Sequence, residues 1–142
     1  MCYGKTMQKN NMGKIDYSNL TTPPEKHERA TAKFFANKGE DIVFLRPSSI
    51  KGTYSPDFTM GDKIWEVKSP TTYSKSSFEY NFKKAMKQAK HIIFDLRQLN
   101  SSNEVKYIRE LYKWKNIPKV KTLLIITKDG RILTLKGKFD KL

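Results

Sequence analysis

Asp57, Glu66 and Lys68 are the residues of this 142-residue chain whose types and spacing could do chemistry. They flank Gly61-Asp62, a two-residue turn signal with aromatic and β-branched residues on either side, as strands require. Folding the stretch Pro56–Lys68 as a tight hairpin predicts Met60 opposite Lys63, Thr59 opposite Ile64, Phe58 opposite Trp65 and Asp57 opposite Glu66. Alternation along the second strand puts Glu66 and Lys68 on one face and Trp65 and Val67 on the other. Two carboxylates held opposite each other repel unless a cation lies between them. A divalent metal held by Asp57 and Glu66 would polarise a phosphoryl oxygen and lower the pKa of a bound water. Lys68 beside it would orient that water or stabilise charge developing on phosphorus. Read instead as a surface hairpin, the same residues would leave Glu66 and Lys68 merely solvated.

The elements around the hairpin must carry any further contributors. Thr22-Pro23-Pro24-Glu25 has the spacing of a capping box and opens a helix, with Glu25 in the first turn. Glu28 shares a helical face with Ala32 and Phe35, bordered by Thr31, so it is an acid on the apolar stripe and wants a partner inside. Gly39 ends that helix, and Asp41–Arg46 reads as a buried strand. Pro47–Ser55 is a loop that could contact substrate. Beyond the hairpin, Ser76-Ser77-Phe78-Glu79 is a second capping box. It opens a helix with the apolar stripe Phe78, Phe82, Ala85, Met86 and Ala89. Lys83, Lys84, Lys87 and Lys90 make this helix strongly basic, and Lys84 and Gln88 lie one turn apart. His91–Leu96, nearly all apolar, is expected to be a central strand, parallel to its neighbour after a right-handed crossover. Ser101-Ser102-Asn103-Glu104 opens a third helix with Val105, Ile108, Leu111 and Tyr112 inward. A second hairpin turns across Lys128-Asp129-Gly130. Residues 1–20 read as a polar, mobile lead-in, and 21–142 as one domain without repeat or linker.

Composition narrows the function classes. The chain carries 28 Lys+Arg against 14 Asp+Glu, a net charge of +14, which suits nucleic acid, an anionic surface or an acidic protein as partner. Hydrophobic residues at 37% are enough for a globular core. The single cysteine, Cys2, excludes an intrachain disulfide and a cysteine-based zinc cluster. No apolar run approaches the roughly 18 residues that span a bilayer. The first twenty residues lack the apolar core of a secretory signal, so a soluble protein acting in a cytoplasm is expected. His27 and His91 read as isolated, without further ligands at metal-binding spacing.

Pro56-Asp57 followed by Glu66-Val67-Lys68 resembles the PD-(D/E)xK nuclease signature. The order helix, strand, hairpin, helix, strand is similar to the shared core of that superfamily, an α/β restriction-endonuclease-like fold. There a mixed central sheet with an antiparallel active-site hairpin is flanked by helices. Glu28-Arg29-Ala30-Thr31-Ala32, Ser55-Pro56-Asp57, Trp65-Glu66-Val67-Lys68-Ser69-Pro70 and Lys84-x-x-x-Gln88-Ala89 narrow the resemblance. Together they resemble the C-terminal tRNA-nuclease toxin domains of bacterial contact-dependent growth inhibition proteins and their mobile-element relatives. The resemblance implies Glu28, Asp57, Glu66 and Lys68 as the active site, with Asp57, Glu66 and Glu28 at the metal. It implies Lys84 and Gln88 nearby, and with Lys83 and Lys87 these are the candidate nucleic-acid contacts. An all-carboxylate ligand set favours Mg²⁺ or Mn²⁺, with Zn²⁺ also accessible. The expected partners are tRNA, or alternatively DNA, and an acidic immunity protein, but no membrane. A DNA endonuclease and a non-catalytic nucleic-acid-binding module are the competing readings.

Overall fold

The computed structural model of the protein describes residues 12–47 and 55–139. Seven strands form one mixed sheet in chain order. They are β1 (Ile15–Asp16), β2 (Ile42–Phe44), β3 (Phe58–Met60), β4 (Lys63–Lys68), β5 (His91–Asp95), β6 (Thr122–Ile126) and β7 (Ile132–Lys136). Helix α1 (Lys26–Ala36) links β1 to β2, α2 (Lys75–Gln88) links β4 to β5, and α3 (Ser101–Trp114) links β5 to β6. β4, β5 and β6 are parallel, with antiparallel β2–β3–β4 on one side and an antiparallel β7 on the other. Each parallel step needs a crossover, and α2 and α3 supply those at the centre.

Strand alternation sorts the core into two layers. Trp65 and Val67 of β4 and Ile93 of β5 pack with Ala32 and Phe35 of α1 on one face. Ile92 and Phe94 of β5 pack with Phe78 and Phe82 of α2 and Tyr107 and Leu111 of α3 on the other. β5 and β6 are buried along nearly their whole length, as parallel strands covered on both faces must be. Phe78, Phe82, Phe94, Tyr107 and Trp114 interlock as an aromatic block with centroid spacings from 5.0 to 6.4 Å. Ring pairs in this range contribute beyond their buried area.

Several sequence expectations shift in detail. The stretch read as a lead-in contributes β1, whose Ile15 and Asp16 pair in parallel with Ile42 and Val43. Two residues are too short to show an apolar period, and their pairing is set by the neighbouring strand. Residues 1–11 lie outside the described residues. α2 starts two residues earlier than its expected box, with Ser74 as N-cap accepting from Ser77 N at 3.1 Å. Asn100 rather than Ser101 caps α3, accepting from Asn103 N at 2.8 Å. α3 is also rotated from expectation: Tyr107 and Leu111 are buried with Ile108 and Trp114 packed beside them, while Val105 and Tyr112 are exposed. Apolar residues occupy two stripes of this helix, and the aromatic block on the sheet selects the one bearing Tyr107 and Trp114.

Candidate active site

The hairpin forms in the expected register, Phe58↔Trp65, Thr59↔Ile64 and Met60↔Lys63. Gly61 takes a φ of +63° at the first turn position, a conformation open to glycine that matches the twist of the strands. The ladder stops at Phe58. One residue earlier, Asp57 N donates to Trp65 O at 2.9 Å, and its own carboxylate accepts from Val67 N at 2.8 Å. Asp57 therefore meets Glu66 through its side chain, not as a strand pair. The site lies at the carboxyl ends of β4 and β5, where open α/β sheets place their ligand crevices.

Glu66 is 2% exposed, and its Oε2 pairs with Lys68 Nζ at 3.0 Å. The other carboxylate oxygen, Oε1, is buried and takes no N–H or hydroxyl donor, and the Asp57 carboxyl lies within hydrogen-bond reach of Glu66. Burial pushes the Asp57 carboxyl up to about 9, and the charges of Glu66 and then Glu28 add to the shift. Burial likewise pushes Glu66 up, to about 7, although Lys68 pulls the other way. Neighbouring acids out of water cannot all ionise at neutral pH unless a cation compensates. A buried oxygen without an N–H or hydroxyl donor, between carboxyls that burial pushes up, fits a hard divalent cation with oxygen ligands.

Glu28 sits in the first turn of α1, within hydrogen-bond reach of the Asp57 carboxyl. Its place differs from expectation in one respect: Glu25 is the N-cap, and Glu25 N donates to Glu28 Oε1 at 3.2 Å. Glu28 thus belongs to a capping box while its charge also acts on Asp57 and Glu66. His27 is not isolated either. Glu25, His27 and Glu28 offer ligand atoms within 4.8 Å of one another, and they are the only trio among the described residues to do so. Glu28, Asp57 and Glu66 do not converge that closely.

The basic helix meets the site at its end. Lys68 Nζ donates to Gln88 Oε1 at 3.0 Å, and Gln88 Nε2 donates to Ser55 O at 3.1 Å. Gln88 therefore holds the lysine and the chain entering β3. A cleft of about 550 Å³ opens over these residues, with Glu28, Asp57, Lys84 and Gln88 in its wall. Lys83 and Lys87 lie farther along the exposed side of α2, with Lys84 between them. Residues 48–54 of the loop expected to touch substrate lie outside the described residues.

One cluster escaped the sequence reading. Asp95, at the end of β5, accepts from Thr31 Oγ1 at 2.7 Å and from Arg97 Nε and Nη2 at 2.9 and 2.7 Å. Arg97 also donates to Ala30 O at 3.3 Å and lies 4.8 Å over the Phe34 ring. This grip holds α1 one turn beyond Glu28, and so fixes where Glu28 stands. An acid ending an apolar strand, with an arginine two residues on, was the available signal.

The fold is thus a single mixed α/β domain, with a carboxylate–lysine cluster beside a cleft at the carboxyl ends of the central strands of a seven-stranded sheet. The profile of the contact-dependent growth inhibition CdiA C-terminal domain matches residues 54–132, more than half of the chain, and the protein belongs to that family. The match takes in Asp57, Glu66, Lys68, Lys84 and Gln88, and leaves Glu28 outside. Among solved structures, a chain of the CdiA-CT/CdiI toxin and immunity complex from Burkholderia pseudomallei is similar, with a TM-score of 0.63 and 22% identity. The alignment covers 88% of this chain and 100% of that one, and at this identity it speaks for the fold alone. A comparison with curated proteins finds no match. Among the described residues no helix is long and apolar enough to cross a membrane.

Proposed function

We propose that this domain is a toxin nuclease of the PD-(D/E)xK type, hydrolysing phosphodiester bonds with a divalent metal, with tRNA as the favoured substrate. One observation carries the reading: Glu66 is buried against the Asp57 carboxyl with no N–H or hydroxyl donor on Oε1, two residues from a lysine fixed against the same carboxylate. Asp57 and Glu66 would hold Mg²⁺ or Mn²⁺, and Glu28 would hold one of its waters. When bound, such an ion polarises the phosphoryl oxygen and lowers the pKa of a water. Lys68, held between Glu66 and Gln88, presents a fixed positive charge where negative charge develops on the phosphate oxygens. Gln88 keeps that ammonium in place, and its bond to Ser55 ties the position of Lys68 to the start of the strand bearing Asp57.

Family membership supports the toxin role, and the net charge of +14 supports a polyanionic substrate. The Burkholderia relative is a toxin described in complex with an immunity protein. By analogy we infer an immunity partner here, acidic to match this surface, and action inside the cell that receives the toxin. Incubating the purified protein with total tRNA, plasmid and single-stranded DNA, with Mg²⁺, Mn²⁺ or excess EDTA, tests the whole reading. Cleavage of tRNA that stops in EDTA is expected. Metal-independent cleavage would remove the carboxylate mechanism, and cutting of plasmid alone would move the enzyme to DNA.

A further inference from the structure

The outer face of α2 carries Tyr80, Lys83, Lys84 and Lys87, spaced three, four and seven residues apart and so on one side of the helix. The opposite side, Phe78, Phe82 and Ala85, is buried in the core. Tyr80 is 64% exposed, and Lys84 Nζ stands 5.8 Å from its ring centroid. These four side chains line a shallow depression of about 300 Å³. Lys84 also lines the 550 Å³ cleft that holds Glu28, Asp57 and Gln88, so depression and cleft share a wall. A flat aromatic ring set among ammonium groups, next to a candidate phosphodiester site, combines the two elements that hold single-stranded nucleic acid. One is a π-face for a base, the other is positive charge for the backbone.

A base inside a duplex is already stacked on both sides and cannot lend its face to a side chain. We propose that Tyr80 stacks an unpaired base of the substrate while Lys83, Lys84 and Lys87 neutralise its adjoining phosphates. The cleft therefore takes a single-stranded stretch, a loop or an end, in preference to continuous duplex. This rests on the nuclease reading and adds to it the strandedness of the substrate. A base face is common to RNA and DNA, so the proposal is the same for either sugar.

α3 supplies an internal control, because Tyr112 is similarly exposed at 52% and has Lys115 Nζ 5.2 Å from its ring. That pair does not border the cleft. The test uses the full chain carrying Asp57→Asn, so that bound substrate survives, and measures anisotropy of short labelled RNA and DNA strands, each single or annealed to its complement. Single strands should bind more tightly than duplex. Adding Tyr80→Leu should weaken single-strand binding by about tenfold, leave duplex binding unchanged, and be rescued by Tyr80→Phe. Tyr112→Leu should change neither. If Tyr80→Leu has no effect, weakens both substrates alike, or is matched by Tyr112→Leu, the stacking role is wrong while the nuclease reading stands. If the Asp57→Asn protein binds no oligonucleotide at all, the nuclease reading falls, and the stacking proposal with it.

Discussion

Asp95 and Glu66 lie toward the carboxyl ends of neighbouring parallel strands, 4% and 2% exposed, and their carboxylates are settled in opposite ways. Both oxygens of Asp95 are taken, by a two-pronged Arg97 and by Thr31. Glu66 has Lys68 on one oxygen and otherwise only a second raised carboxyl, Asp57, as neighbour, with no N–H or hydroxyl donor on Oε1. Burying a charge is tolerated when it is fully paired, as at Asp95, and the chain gains a fixed α1 in return. Leaving a buried carboxylate half satisfied costs stability and is kept where a ligand completes it. The same residue chemistry, one strand apart, thus separates an acid with a structural task from the one that the proposed chemistry uses.

Removing an acid on each side should separate activity from stability. Asp57→Asn and Glu66→Gln should each lower cleavage by about 10³-fold, since a metal-stabilised transition state is worth several kcal/mol. Asp57→Asn should not destabilise the metal-free protein, because it relieves a repulsion, whereas Glu66→Gln sets that relief against the loss of the Lys68 pair. Asp95→Asn should do the reverse, with a loss of about 3–5 kcal/mol as Arg97 is left without its partner. Urea unfolding in EDTA, read beside turnover in Mg²⁺, checks both. Loss of stability in Asp57→Asn equal to that in Asp95→Asn would erase the contrast.

The contrast also has a pH signature. The folded-state values of Asp57 and Glu66 lie near 9 and 7, above the ordinary 3.8 and 4.5, so the folded protein keeps protons that the unfolded chain releases. Stability contributed by those protons is present below pH 4 and is lost as pH rises through the folded values. In EDTA, melting temperature should therefore fall between pH 4 and 9 more steeply for wild type than for Asp57→Asn. The difference should widen steadily toward the upper end of that range. Mg²⁺ should close it by replacing the protons. Parallel pH profiles for the two proteins in EDTA would show that the carboxyls ionise freely.

How much of this was legible follows from which interactions are local. The hairpin register, and with it the approach of Asp57, Glu66 and Lys68, was readable because a two-residue turn fixes both strands by counting. α2 was readable because Phe78, Phe82 and Ala85 form one stripe. α3 was readable in part: Ile108 and Leu111 face the core as expected, but Val105 and Tyr112 compete with Tyr107 and Trp114, and only the aromatic block on the sheet decides between them. The Asp95–Thr31 bond joins residues 64 positions apart, and no local period announces it. The capping box of α1, read at Thr22–Glu25 with Pro24 as the alternative start, runs Glu25–Glu28, because two acids each suit a first turn.

Glu28 stands between the two kinds of acid, and its substitutions give the smallest and sharpest test. Its Oε1 accepts from Glu25 N at the start of α1, a structural task, while its charge reaches Asp57 and Glu66, a functional one. Glutamine keeps an acceptor oxygen for the cap and removes the charge; alanine removes both. Glu28→Gln should therefore leave stability nearly unchanged and lower cleavage by about tenfold, the loss typical of a group that orients a metal's surroundings. Glu28→Ala should match that loss of activity and cost about 1 kcal/mol more in stability, the worth of a helix cap. Asp57 should also feel the missing charge, so the pH midpoint of the metal-free protein should move down in both variants. If Glu28→Gln cleaves at the wild-type rate with an unmoved midpoint, Glu28 is a capping residue alone, and it belongs with Asp95 on the structural side of the comparison.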